Sequence, residues 1–436
     1  MTGDREESGA ERGKGRWSFS RFRRRAPTLF YTLLLWLTAE LLVALIAPVV
    51  VPRHAALSWY LGAEARRATR LFLDDRNPCL TYDALTGWRN RPGSEVETWR
   101  VDSLGSRSTH PLGLVKLRAR RLLFLGSSLV NGNWGVTTGE TISAYCEDSL
   151  TETLNCATML YSLDQCLLAY QGGLHRLGAD VVVVGLSDEP DEGLTNRYLP
   201  FRCRTEVLMP FFKPRFVLEG ATARLVPVPT RERWRTLLAS PTLLDSLARD
   251  DACFGDFESY RRLGWMPLSA GLRRAVLVFR KMSRLVAGRA EAGPLARLLM
   301  RRLVEEAAQH HARTVFILLP DRSATFPSSW RRLLTDRHAA VLDELRCEGF
   351  VVLDGREPLR TSGLQPWQSY QWDGIHYSPA ANRILADRLM GLIRSLEGPR
   401  VRGPSGRATG APAPGDDDLQ PPFSSPGRQV RRSLDR

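Results

Sequence analysis

Leu122-Leu123-Phe124-Leu125-Gly126-Ser127-Ser128-Leu129 is the stretch whose reading sets the fold. A short apolar run closed by glycine suits a strand buried on both faces, and serines directly after it suit the start of a helix. Working outward, Val181-Val182-Val183-Val184 reads as a second buried strand. Thr314 to Leu319 reads as a third and Phe350 to Leu353 as a fourth. Helical patterns fall between them: Thr141 to Leu154, Asp164 to Leu177 (weakened by Gly172-Gly173), Pro294 to His311, Trp330 to Cys347 and Ser378 to Leu396. Strands alternating with helices imply an α/β domain whose parallel sheet is covered on both faces. Ligands in such sheets gather at the carboxyl ends of the strands, where Ser127 and Ser128 stand.

The rest of the chain frames that domain. Residues 1–27 are polar and basic, and residues 397–436 form a Pro-, Gly-, Ser- and Arg-rich tail; both read as disordered. Residues 57–73 suit an amphipathic helix. Residues 77–110 hold turn formers and aromatics and read as an irregular or β-rich part of a 53–117 lead-in. The α/β domain is expected over 118–396. Residues 200–293 form an insertion with possible short strands in KPRFVL and RLVPVP, and are a candidate lid.

The chain has 436 residues, of which 43% are hydrophobic and 25% charged, which excludes a wholly disordered protein. Net charge is +14. Residues 1–27 carry 8 basic and 4 acidic side chains, and residues 399–436 carry 7 and 4. That leaves +7 over the 371 residues between, a mild excess. No zinc-finger spacing or aromatic-basic RNA-binding run is present, so nucleic acid is not an expected partner. Seven cysteines, without a C-x-x-C pair, are too sparse for a disulfide scaffold and read mainly as small buried residues. His310-His311 are adjacent on a helical pattern and so point about 100° apart, a poor metal site. No metal or cofactor is expected.

Thr28 to Val51 runs for 24 residues with one charge, Glu40, long enough for a helix to cross a bilayer. It ends in Pro48-Val49-Val50-Val51-Pro52, a poor cleavage site, so an uncleaved anchor is expected rather than a signal peptide. Arg16, Arg21, Arg23, Arg24 and Arg25 precede the run. This bias places the N-terminus in the cytoplasm and the rest of the chain outside.

Two motifs carry chemistry. Gly126-Ser127-Ser128 places a hydroxyl at a strand's carboxyl end, where backbone N–H groups can meet a developing oxyanion; a serine there is equally a common helix cap. Trp372-Asp373-Gly374-Ile375-His376-Tyr377-Ser378-Pro379-Ala380-Ala381-Asn382 places a histidine three residues after an aspartate that can orient it. Taken together, in the order Ser…Asp-x-x-His, these motifs resemble the SGNH (GDSL) hydrolase superfamily, in a membrane-anchored bacterial branch. DGIHYSPAANRILADRL is close to that family's last block, and GSSLVNGNWGV resembles its first, with one extra residue before Trp134-Gly135. Tyr82-Asp83, Gly87-Trp88, Pro92-Gly93, Asp102 to Arg107, Asn155 to Gln165 and Lys213 to Phe216 also match; the likeness spans about residues 80–395.

The resemblance implies a three-layer α/β/α fold with a flavodoxin-like parallel sheet. It implies Ser128 as nucleophile, His376 as base and Asp373 as its orienting acid, with no cofactor. The oxyanion donors would be the backbone of Ser128, the backbone of Leu160 where the family has glycine, and Ser187 where it has asparagine. Asp188 and Asn196 are further candidates near that last position. The activity implied is hydrolysis of an O-acyl ester, such as an acetyl ester, of an envelope glycan or lipid. Transfer of the acyl group to a sugar hydroxyl is a variant. The two departures, Leu160 and Ser187, keep open a domain that binds glycan or assembles with envelope proteins without catalysis.

Overall fold

Five short strands, largely buried, carry the long-range order of this chain. The computed structural model describes residues 27–28, 30–42, 63–110, 113–187, 190–199, 211–239, 251, 293–327 and 342–397. In chain order the strands are β1 (Leu80–Asp83), β2 (Gly87–Asn90), β3 (Glu95–Val96), β4 (Trp99–Arg100), β5 (Arg120–Leu125), β6 (Thr151–Asn155), β7 (Val181–Ser187), β8 (Arg215–Glu219), β9 (Thr222–Val226), β10 (Arg313–Leu319) and β11 (Val352–Asp354). Strands β5, β6, β7, β10 and β11 form one parallel sheet in the order β11-β10-β7-β5-β6. Counted along that sheet the order is 2-1-3-4-5, the flavodoxin-like winding.

Successive strand residues point to opposite faces, and the two cores divide accordingly. Leu123, Leu125, Val182, Val184, Phe316 and Leu318 lie in one cluster, with helix Leu163–Gln171 and the helix over 293–309. Leu122, Phe124, Val181, Val183, Val315 and Ile317 lie in the other, with Leu385, Leu389 and Ile393 of helix Pro379–Leu396. The expected three layers are present.

One helical reading is overturned. Thr141 to Leu154 is not one helix: Ile142–Tyr145 is a single helical turn, and Thr151–Asn155 is edge strand β6, buried along its length. The chain reverses through a turn in which the Asp148 and Thr151 backbones bond to each other. Arg121 of β5 then donates to Glu152 at 2.7 Å, both side chains buried, so a pattern with a charge inside it belongs to a strand. Asp164 to Leu177 divides in the same way at its glycines, into helix Leu163–Gln171 and a 3-10 turn over Leu174–Leu177.

The lead-in is β-rich as expected, with hairpins β1–β2 and β3–β4 after helix Ala63–Leu73. The described part of the insertion forms hairpin β8–β9 and helix Arg231–Ala239. It packs on the lead-in: Trp234 lies against Phe72 and Phe212, and Tyr82 Oη donates to the Pro229 carbonyl. Residues 200–210, 240–250 and 252–292, the rest of the candidate lid, lie outside the described residues.

Among the described residues no helix is long and apolar enough to cross a membrane. Residues 30–42 are helical and expose Phe30, Tyr31, Leu33, Leu35 and Leu41, while 43–51, the rest of the apolar run, lie outside the described residues. Cys79, Cys146, Cys156 and Cys166 are buried free thiols, Cys347 is an exposed one, and Cys203 and Cys253 lie outside the described residues. His310 and His311 are exposed, with His310 stacked on His175.

Candidate active site

Strand β5 delivers Ser128 to the sheet's carboxyl edge through a turn that needs glycine. Gly126 takes φ 147°, and a Cβ there would stand 2.7 Å from Val130 Cγ2 and 3.1 Å from the Gly185 carbonyl. A Cβ on Gly185 of β7 would come within 2.1 Å of the same Val130 methyl. The two glycines together let the turn Ser128–Asn131 sit down on the sheet. Ser127 takes the capping role, its Oγ accepting from Leu129 N, which leaves Ser128 free for chemistry. The helix is one turn long, so the local N–H groups matter here more than any macrodipole.

The Asp-x-x-His loop comes from 248 residues away and is pinned to the end of β10. Tyr370 and Tyr377 form a bridge, and both hydroxyls donate to the Pro320 carbonyl, at 3.0 and 2.6 Å. Arg322 N donates to the Gly374 carbonyl, and Ser378 caps the following helix through Ala381 N. The result is a continuous relay. His376 Nε2 is 2.8 Å from Ser128 Oγ, and His376 Nδ1 is 2.5 Å from Asp373 Oδ2. Asp373 Oδ1 accepts from the backbone N–H groups of Ile375 and His376, at 2.9 and 3.0 Å.

Burial of the Asp373 carboxyl opposes its charge. Hydrogen bonds from the His376 ring and from the two backbone N–H groups outweigh this and hold its pKa below the usual carboxylate value. Such a group binds protons more readily in the unfolded chain. Its stabilisation is therefore present above the unfolded pKa and is lost as pH falls through the folded one. The thermal-stability gap between the unsubstituted protein and Asp373→Asn is expected to be full above the ordinary carboxylate range and to close as pH falls through the lowered pKa of the folded state. Melting curves across that range check it; a gap that persists below that pKa would show that the carboxylate charge is not its source.

The three oxyanion candidates lie at or beyond the carboxyl ends of the neighbouring strands β6, β5 and β7. Leu125 pairs with Val184, so Ser128 and Ser187 each lie three residues beyond one register pair. Thr158 N donates to the Gly126 carbonyl, which carries the chain after β6 past the Ser128 turn towards Leu160. Leu160 takes φ 61°, a left-handed backbone that favours glycine and costs a branched residue about 1 kcal/mol or more. Leucine thus occupies a glycine conformation. The lead-in holds it there: Trp88 Nε1 donates to the Met159 carbonyl, Asn90 Nδ2 to the Ala157 carbonyl, and Tyr161 Oη to Thr86 Oγ1. Among the described residues, neither the Ser128 N–H nor the Leu160 N–H is taken up by an acceptor in the chain.

Ser187, at the end of β7, is partly exposed, and its hydroxyl has no hydrogen-bond partner among the described residues. Asn196 does not replace it: its amide donates to the Asp251 carboxylate and the Tyr198 carbonyl in the interior. Asp188 lies outside the described residues. Since an amide reaches further than a hydroxyl, Ser187→Asn is expected to raise acylation of Ser128 about tenfold or more. The labelling rate with a fluorophosphonate reads this; no gain would mean that a missing third donor does not limit the reaction.

Sequence reasoning missed two contributors. Asn133 places its side-chain amide nitrogen 3.3 Å from His376 Nδ1. Arg107, fully buried, donates to the carbonyls of Asn131, Asn133, Val136 and Thr98 around the loop after Ser128. The only sequence signals were the extra residue before Trp134 and the Asp102 to Arg107 stretch. Among the described residues no cluster of metal-ligating side chains occurs.

No family model and no curated protein matches the chain. Among solved structures, a putative lipolytic protein of the G-D-S-L family from Desulfitobacterium hafniense matches with a TM-score of 0.32 and 9% identity, over 62% of this chain and 98% of that one. An acetylxylan esterase from Geobacillus stearothermophilus, in a catalytic mutant form, matches at 0.33 and 12%, over 63% and 94%. A GDSL-like lipase from Bacteroides thetaiotaomicron matches at 0.30 and 12%, over 65% and 93%. Likeness at this level carries no functional argument, which rests instead on the site.

Proposed function

We propose that this chain is a membrane-anchored, extracytoplasmic serine esterase of the SGNH type, acting on an O-acyl ester of a glycan or lipid. The observation that carries the reading is the unbroken relay Ser128 Oγ, His376 Nε2, His376 Nδ1, Asp373 Oδ2 at 2.8 and 2.5 Å. In this reaction Ser128 Oγ attacks the ester carbonyl as its proton passes to His376 Nε2. Asp373 holds the ring with its proton on Nδ1 and balances the imidazolium charge. The oxyanion meets the N–H groups of Ser128 and Leu160. His376 then returns the proton to the leaving alcohol, and water attacks the acyl-enzyme by the reverse path.

An acetyl group is the acyl unit we favour, and an envelope polysaccharide or glycolipid the bearer, since the site would face the cell surface. The anchor reading is supported by the 24-residue apolar run and its arginine flank, together with the exposed apolar side chains over 30–42. The full-length protein in detergent, treated with a fluorophosphonate and then supplied with acetylated oligosaccharides, tests both levels. Labelling lost in Ser128→Ala, with acetate released from the sugar, is the expected result. A folded protein that neither labels nor releases acetate would leave the non-catalytic binding reading, with Leu160 and Ser187 as its cause.

A further inference from the structure

We infer that Asn133 is a positioning residue for the catalytic base, an amide held against His376 Nδ1 by the buried Arg107 clamp. The inference rests on the esterase reading for its rate measurement. Asn133 takes φ 51°, in the left-handed region, within a loop whose carbonyls are turned inward. Those of Asn131, Asn133 and Val136 accept from Arg107, and that of Trp134 accepts from Thr98 Oγ1. With its carbonyl fixed at 2.7 Å from Arg107 Nη1, Asn133 directs its side chain to the other side, where the amide meets the His376 ring at 3.3 Å. Asparagine tolerates this backbone better than most residues. This is also the region where the sequence carries one residue more than the family spacing before Trp134-Gly135.

The chemistry decides which end of the amide works. Nδ1 stands 2.5 Å from the Asp373 carboxylate, so it carries a proton directed at Asp373. An amide NH2 against that N–H would oppose two donors. A half-turn of the amide exchanges its ends and presents the oxygen, a second acceptor beside Asp373. Two acceptors at Nδ1 hold the ring in the tautomer whose Nε2 faces Ser128, and they favour the imidazolium that forms as Ser128 attacks. Among the described residues, the charged group paired with the ring is Asp373 on its own loop, and the Arg322 guanidinium lies behind Gly374, where a Cβ would stand 3.4 Å from Nε. Arg107 lies beyond the loop. Substitution at Asn133 leaves all three in place.

The test uses the full-length protein in detergent with two substitutions that accept a left-handed backbone. Asn133→Gly removes the amide; Asn133→Asp replaces it with a carboxylate. Rates of fluorophosphonate labelling of Ser128 are measured from pH 5 to 9. For Asn133→Gly the midpoint of the profile is expected to move down by about half a unit, with a plateau about three- to tenfold lower. For Asn133→Asp the midpoint is expected to move up by about one unit. A purely structural role would lower the plateau and leave the midpoint in place. Any outcome other than a downward move for Asn133→Gly and an upward move for Asn133→Asp overturns the inference. If the unsubstituted protein does not label, the esterase reading falls by itself. The same two shifts are then read from the pH titration of the His376 ring resonances in protein labelled with histidine-15N.

Discussion

In the His376→Ala protein, fluorophosphonate labelling of Ser128 is expected to slow by about 10⁴-fold or more. A serine hydroxyl is a weak nucleophile at neutral pH, and here the acceptor for its proton is Nε2 at 2.8 Å. Without the ring, the proton must go to water in the step that forms the bond to phosphorus. Asp373→Asn is expected to cost nearly as much by a different route. Its amide oxygen can still accept from the backbone N–H groups of Ile375 and His376, so the loop keeps its shape. Its NH2, however, would face Nδ1 and favour the tautomer protonated at Nε2. That tautomer points a proton at Ser128 and cannot accept one. Intact-mass kinetics of labelling, on proteins whose melting curves show them folded, read both substitutions. Labelling of His376→Ala within tenfold of the unsubstituted rate would mean that Ser128 is activated by another group, and the relay would lose its meaning.

The sheet was legible in the sequence because its strands are buried on both faces, so they appear as continuous apolar runs. Val181 to Val184 and Thr314 to Leu319 needed no periodicity to be read. Strand β6 was not legible. Its Thr-Glu-Thr-Leu-Asn carries a glutamate whose burial is stabilised by Arg121, and that partner comes from a neighbouring strand. Ser128 and the Asp373–His376 pair could be singled out from local patterns because each sits in a short block whose spacing is itself the signal. The oxyanion side was harder. That Leu160 adopts a glycine backbone follows from bonds donated by Trp88 and Asn90, more than sixty residues upstream, and no local pattern contains them. The contact of Asn133 with His376 spans 243 residues and is invisible to local reading for the same reason.

Arg107 makes the strongest case that this machinery is held from outside its own blocks, and Arg107→Met is expected to destabilise the protein by about 4 kcal/mol. The guanidinium is buried with no carboxylate among the partners seen for it; burial alone pushes its pKa down to about 10. Its charge is met by carbonyl dipoles and by the Trp99 ring, 5.2 Å from Cζ. Methionine fills similar space without a donor. It would leave the carbonyls of Thr98, Asn131, Asn133 and Val136 without the bonds Arg107 supplies. Each unmet buried carbonyl costs about 1–3 kcal/mol, reduced where the loop can relax or admit water. Arg107→Lys keeps the charge but brings one nitrogen to a site shaped for a fork, so about half the loss is expected. Thermal unfolding of the full-length protein in detergent reads these as a fall of about 10 °C for methionine and about half that for lysine. Below both melting points, labelling of Ser128 is expected to fall in the same order, because the loop that loosens is the one carrying Asn133. A methionine variant that melts within about 2 °C of the unsubstituted protein would mean that water replaces the guanidinium at little cost, and the clamp would not be what fixes the loop.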